Sequence, residues 1–262
     1  MSEATPNLLR YAFDWNRHAK ASMLLVHKTT VVAPSLSDPD SRRNLAKVAG
    51  DDALDQLRSL AGEIAPISHK LDYLVSNDSL LETLKKLLAE PKDNIILLGL
   101  KGSGILKQIF IGSVALEVIE NIENTIAAIP AEMTVFSPKK LYVAVSDIMP
   151  FNVLSLKSFL EFTGNEVQQI NFFTISKRRH LSSKIEKHLR QLTDFFGDQY
   201  YTNFTIYEGD NFFDTIKLVI NNTIEELLVV QRGSRLITDQ MFRKFMINDL
   251  VHEGQTPLIV LP

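Results

Sequence analysis

From Pro138 onward the apolar positions of the chain change period repeatedly. "KKLYVAVSD" is a continuous apolar run of strand length, after which Val153, Leu156, Phe159 and Leu160 fall on one helical face that ends near Gly164. "NEVQQINFFTI" predicts the next strand, Leu181, Ile185, Leu189 and Leu192 a helical stripe, "NFTIYEGD" a strand, and Phe212, Ile216, Val219 and Ile220 another stripe. "EELLVV" and the closing "PLIVLP" bracket a last helix whose buried side takes in Met241, Phe242, Phe245 and Met246. Five strands alternating with four helices require crossover connections, and hence a mainly parallel sheet covered on both faces.

The first half follows the same plan from its second element onward. Leu8, Tyr11, Ala12 and Trp15 suit a helix, "SMLLVHKTTV" and "KLDYLVSND" suit strands, and Leu80, Leu81, Leu84, Leu87 and Leu88 suit a helix. The strand "NIILLGL", an apolar helix from about Gly112 to Ile122 and the strand "NTIAAIP" complete it. The halves end alike, "TIAAIP" beside "PLIVLP", and both carry a strand, acidic turn and helix, "LDYLVSNDSLLETL" beside "FTIYEGDNFFDTI". The pattern is an internal repeat, read as two domains over residues 1–131 and 138–262 with a short linker in "IPAEMTVFSPKK". "APSLSDPDSRR", Ala33 to Arg43, reads as a mobile, turn-rich loop. One element is absent: no strand matching "LYVAVSD" precedes the first helix, so either the chain is shortened or another segment completes that sheet.

Composition narrows the partners. The 262 residues are 45% hydrophobic, enough to bury the cores of two domains, and 28 basic against 31 acidic side chains leave a net charge of −3. That balance recommends neither nucleic acid nor an anionic membrane, so any anion must be bound locally. With no cysteine, thiol catalysis, disulfides and thiolate metal sites are removed, and a reducing compartment suits the chain. No leader pattern and no apolar run of about 20 residues is seen, and the expected location is the cytoplasm.

"GLKGSGILKQIFIGS", Gly99 to Ser113, follows the apolar "NIILL" and holds four of the eleven glycines. Loops at the carboxyl ends of strands in an open parallel sheet form the ligand crevice, and glycine lets backbone amides approach a phosphate closely. Gly112 and Ser113 would open a helix, whose unpaired N–H groups and dipole favour an anion. Lys101 and Lys107 would add positive charge. The candidate ligand-binding residues are Gly99, Lys101, Gly102, Ser103, Gly104, Gly112 and Ser113.

"NIILLGLKGSGILKQIFIGSVALEVIENIENTIAAIP" resembles the C-terminal half of a universal stress protein domain. Gly99, Gly102, Gly112 and Ser113 match without a gap the pattern of nucleotide-binding members of that family: glycine, two residues, glycine, nine residues, glycine and serine or threonine. "SEATPNLLRYAFDW" is similar to the family's first helix, "MLLVHK" to its second strand, and "LYVAVSDIMPFNVLSLK" to the start of a second copy. The resemblance implies a tandem α/β protein of two open parallel-sheet, Rossmann-like domains of the adenine nucleotide alpha hydrolase type. It implies a UspA-like, regulatory, ATP-binding module of the stress response, the ligand being ATP, ADP or AMP with or without Mg. It also implies that "TIAAIP" and "PLIVLP" pair within the chain as a pseudo-dimer, with a homodimer as a larger assembly.

Departures from the pattern assign the nucleotide to the first copy. The family's aspartate beside the adenine ends the first strand; the first copy lacks that strand, whereas the second has Asp147. In the second copy Lys244 and Phe245 stand where Gly112 and Ser113 stand in the first, and "VVQRGSRLITDQ" keeps only Gly233 of the glycine loop. A lysine and a phenyl ring cannot form the same close cradle.

Plainer readings stand beside these. The glycines can form a ligand-free turn, the basic "SKRRH" at Ser176 to His180 a solvated surface, His27 a packed edge residue, and Asp147 a cap of the following helix. The six histidines show no metal-ligand spacing, and neither a Walker A nor a Gly-x-Ser-x-Gly sequence occurs, which leaves kinase or hydrolase chemistry without its usual signature. Two other functions remain: a nucleotide-free interaction scaffold whose missing strand comes from a partner or second chain, and slow ATP hydrolysis or phosphorylation at Ser113.

Overall fold

A computed structural model describes residues 5–30, 38–64, 70–90, 92–100, 113–146, 149–176, 183–208, 223–233 and 256–262. The first half runs α1 (Thr5–Ala19), β1 (Met23–Lys28), α2 (Pro39–Ile64), β2 (Leu71–Ser76), α3 (Leu80–Leu87), β3 (Ile95–Gly99), α4 (Ser113–Asn121) and β4 (Thr125–Ile129). The second runs β5 (Lys140–Ala144), α5 (Val153–Phe162), β6 (Gln169–Ser176), α6 (Ser183–Phe196), β7 (Tyr201–Glu208), β8 (Glu226–Gln231) and β9 (Leu258–Leu261). The stripes at 212–220 and 241–246, and Leu181, lie outside the described residues.

Seven strands form one sheet in the order β3-β4-β9-β8-β5-β6-β7, and β1 and β2 form a separate parallel pair. The second half contributes β9-β8-β5-β6-β7, all mutually parallel, as its near-continuous apolar runs require. The halves meet where β4 and β9 run antiparallel, with Ile126 opposite Val260, Ala127 opposite Ile259 and Ala128 opposite Leu258. The expected pairing of "TIAAIP" with "PLIVLP" is therefore present within the chain.

Alternation along each strand divides the core between two faces. Ala127, Ile129, Leu141, Val143, Ile170, Phe172, Val229 and Ile259 join Tyr11 and Trp15 of α1, Phe159 of α5 and Leu189 of α6 on one side. Ile126, Ala128, Tyr142, Phe173, Leu228 and Val260 join Leu84 of α3 and Val118 and Ile119 of α4 on the other. A third, smaller cluster holds Leu9 and Phe13 of α1 and Ala61 of α2 against Met23, Leu25, Leu71 and Tyr73 of the two-stranded sheet. Helix α1 is thus apolar on two stripes, and it serves both sheets.

The short segment between the repeats packs into the core. Met133 and Phe136 are buried, and Phe136 stacks on Trp15 with ring centroids 4.5 Å apart and planes 5° from parallel. Asp14 accepts the Phe136 amide at 2.9 Å, Asn7 donates to the Ala131 carbonyl at 3.0 Å, and Trp15 Nε1 donates to the Phe162 carbonyl at 2.8 Å. One side of α1, from Asn7 to Trp15, therefore clamps both the connection and the end of α5. Burial, with Asp14 nearby, pushes the Tyr11 phenol far above its ordinary range, so it stays protonated in this core.

Two local expectations are corrected. Pro39–Arg43, read as part of a loop, forms the start of α2: Pro39 occupies its first position, where a missing N–H costs nothing, and the Asp38 carboxylate accepts the Asp40 and Ser41 amides. The rest of that segment, 33–37, lies outside the described residues. The cap of α5 is Asn152, whose side chain accepts the Ser155 amide at 3.1 Å, rather than Asp147. A cap must sit next to the first helical turn, and Asp147 is five residues too early.

The clamp can be tested. Trp15→Phe keeps a ring against Phe136 but leaves the Phe162 carbonyl without its donor, and is expected to cost about 1–2 kcal/mol in urea denaturation. Trp15→Ala, which removes the ring as well, is expected to cost about 3–5 kcal/mol. A second test uses pH. Lys139 donates to Glu166 at 2.9 Å and holds its carboxyl below the ordinary value of 4.5, with His18 3.4 Å from the other oxygen. A folded-state pKa below the unfolded one adds stability that is complete above the unfolded value and vanishes as pH falls through the folded value. The margin by which wild type exceeds Glu166→Gln is therefore expected to shrink as pH falls below 4.5.

Candidate functional site

Strand β3 ends on Gly99, in register with Ile129 of β4, and α4 opens at Ser113. The segment that carries the glycine motif therefore connects the carboxyl end of a parallel strand with the start of the crossover helix. Ala115, Val118 and Ile119 bury one face of α4 against the sheet, which fixes the direction of its amino end. Lys101, Gly102, Ser103, Gly104 and Gly112, together with Lys107, lie outside the described residues, as does the Ser113 side chain.

Gly99 has a packing reason of its own. A β-carbon there would stand 3.2 Å from Leu8 Cδ2, so the glycine lets α1 approach the end of β3. The next amide, that of Leu100, is already donated to the Ile129 carbonyl at 2.8 Å. The Leu100 amide is therefore not available to a ligand.

In the second half the end of β8 contacts the segment that follows β5. Gln231 ends β8, accepting the Asn152 amide at 2.9 Å and donating to the Pro150 carbonyl at 3.3 Å. Gly233 adopts φ +74°, and a β-carbon on it would meet the Met149 thioether at 3.7 Å. The Arg232 amide donates to the Leu261 carbonyl at 2.9 Å, and its guanidinium donates to the Ile122 carbonyl. Burial lowers the Arg232 pKa, while Glu123 opposes the shift. The loop after β5 therefore folds over the end of β8. Asp147, Lys244 and Phe245 lie outside the described residues.

Other sequence candidates stand apart. His27 lies half-buried on β1, where desolvation lowers its pKa and favours the neutral ring. Of "SKRRH" only the backbone of Ser176, the last residue of β6, is described. Among the described residues no group of three or more His, Asp or Glu side chains is arranged to hold a metal ion, and no helix is long and apolar enough to cross a membrane.

A polar cluster at the carboxyl ends of β1 and β2 was missed. Thr29 is buried and its hydroxyl donates to Asn77 Oδ1, and the Thr83 hydroxyl lies 3.0 Å from Ser76 Oγ. Ser79 opens α3 as a capping box, accepting the Glu82 amide at 3.1 Å while its hydroxyl reaches the Glu82 carboxylate at 3.2 Å. The Ser-x-x-Glu spacing in "SLLE" carried the cap; nothing in the local pattern distinguished Thr29 from any strand-end threonine.

No protein-family model and no curated protein matches the sequence. Solved structures do. A universal stress protein from Archaeoglobus fulgidus superposes with a TM-score of 0.68 at 15% identity, over 100% of this chain and 95% of that one. A functionally unknown protein from Pseudomonas aeruginosa PAO1 gives 0.54 at 14% identity over 94% of each chain. A candidate universal stress protein from Pseudomonas aeruginosa UCBPP-PA14 gives 0.54 at 13% identity over 92% of each. The α/β architecture, with its parallel strands and crossover helices, is that of the universal stress protein fold. The likeness extends over both halves of this chain.

The closure of the second-half site is testable by removing the side chain that holds it. Gln231→Leu preserves volume but leaves the Asn152 amide and Pro150 carbonyl without these partners, and is expected to cost about 1–3 kcal/mol in thermal or chemical denaturation.

Proposed function

We propose that the chain is a regulatory universal stress protein of the UspA-like type, acting in the cytoplasm, that binds an adenine nucleotide in its first half only. The observation that carries this reading is the placement of Gly99 and Ser113 at the two ends of the strand-to-helix turn, with the complete glycine motif between them. The residues that would hold the phosphates are Gly99, Lys101, Gly102, Ser103, Gly104, Gly112 and Ser113. The start of α4 adds unpaired amides and the positive end of a helix dipole, together favouring an anion by roughly 1 kcal/mol or more. The second half is assigned no nucleotide, because Met149, Pro150 and Gln231 close the equivalent crevice.

The nucleotide, ATP, ADP or AMP with or without Mg, would act by stabilising one state of the molecule rather than as a substrate. A ligand bound only to the folded chain stabilises it by mass action, so occupancy alone is a signal. Calorimetric titration with ATP is expected to give one site per chain, and Gly112→Lys to abolish the heat. Equal heats for the two proteins would refute the reading. Ser113→Ala should release phosphate no more slowly than wild type, which separates binding from hydrolysis or phosphorylation at that hydroxyl.

A further inference from the structure

Helices α5 and α6 each join two parallel strands, so each runs opposite to those strands and both end at the amino edge of β5, β6 and β7. Their carboxyl ends are neighbours there. After α5 the chain reverses at Gly164, φ +62°, whose amide donates to the Glu161 carbonyl at 3.3 Å. After α6 the Tyr200 amide returns to the Phe196 carbonyl at 3.1 Å, which sets the Tyr200 ring centroid 6.5 Å from that of Phe196.

Between these two turns lies a cavity of about 340 Å³. Buried Leu160 and Phe196, with half-buried Tyr200, form its apolar side, and exposed Lys157, Glu161 and Gln199 its rim. Burial and the nearby Glu161 carboxylate push the Tyr200 phenol above its ordinary range, so the hydroxyl stays protonated beside that charge.

The charges around the opening decide what it can hold. Lys157 and Glu161 stand one turn apart on α5, and among the described residues neither enters an ion pair. Their formal charges balance. The helix ends break that balance, because the carboxyl end of each dipole is equivalent to about half a negative charge, or about one for the pair. Glu166, on the same turn as Gly164, is already met by Lys139 and His18.

We propose that this pocket binds a monovalent organic cation, an alkylammonium or guanidinium group on an apolar stem. The charged head meets Glu161 and the Tyr200 hydroxyl, and the stem rests on Leu160 and the Phe196 ring. An aromatic face beside a cation adds attraction that an anion would lose. An arginine side chain of a partner polypeptide and a free small guanidine share this chemistry. The site does not depend on nucleotide.

The probes are n-butylguanidinium and N-acetyl-arginine amide, with N-acetyl-norleucine amide as the neutral comparator and butyrate as the anion. Titrated into the ¹⁵N-labelled full chain at low salt, both cations are expected to give saturable amide shifts at residues 157–165 and 196–200. They should bind about tenfold more tightly than the neutral amide, and added salt should reduce the difference. Glu161→Gln is expected to weaken both cations about fivefold, whereas Lys157→Gln, which removes a like charge, should tighten them about threefold. Both positions are exposed, and an unchanged Tm separates these effects from damage to the fold. Tighter binding of N-acetyl-arginine amide assigns the site to a polypeptide side chain, and tighter binding of n-butylguanidinium to a free small cation. Equal binding of the neutral amide, tighter binding of butyrate, shifts confined to other parts of the chain, or affinities indifferent to both substitutions would overturn the proposal.

Discussion

Strand β4 has two neighbours of opposite sense, β3 parallel and β9 antiparallel, and the arrangement of the whole chain follows from that fact. A parallel unit alone ends in an apolar edge that must be covered. Pairing the last strands of two units turns two such edges into the middle of one sheet, where every position from Ile126 to Ile129 and from Leu258 to Leu261 is buried. The pairing also keeps equivalent faces on the same side of the sheet. The first helix of one half therefore meets the first helix of the other, and α1 comes to rest near α5, with Trp15 bonded to the Phe162 carbonyl. The connection between the repeats has to cross this contact, which explains why Phe136 is stacked under Trp15 instead of exposed.

Much of this was legible in the residues. Period changes located every described strand, and the shared endings "TIAAIP" and "PLIVLP" pointed to the junction. What escaped the pattern was of two kinds. Long-range packing was invisible: "MTVF" looks like any polar-apolar connection, and only the aromatic partners on α1 show that Met133 and Phe136 belong to the core. Helix α2 as a whole was hidden for another reason, since Asp and Pro are common both in turns and in the first turn of a helix, and the helix carries few buried residues, Ala53, Leu57 and Ala61. The candidate site was legible as a motif and a location, at the strand-to-helix turn. The structural use of Gly99 was not, because a glycine required by a neighbouring leucine is spelled the same way as one required by a phosphate.

The contrast between the halves is also a contrast in how a parallel sheet closes its crevice. In the second half the residues after β5 turn back, so that Met149 and Pro150 meet Gln231 and Gly233 at the end of β8. That closure needs β5, because the loop that supplies Met149 leaves from it. Among the described residues no strand is laddered between β1 and β3, and it is Leu8 of α1 that meets the end of β3 at Gly99.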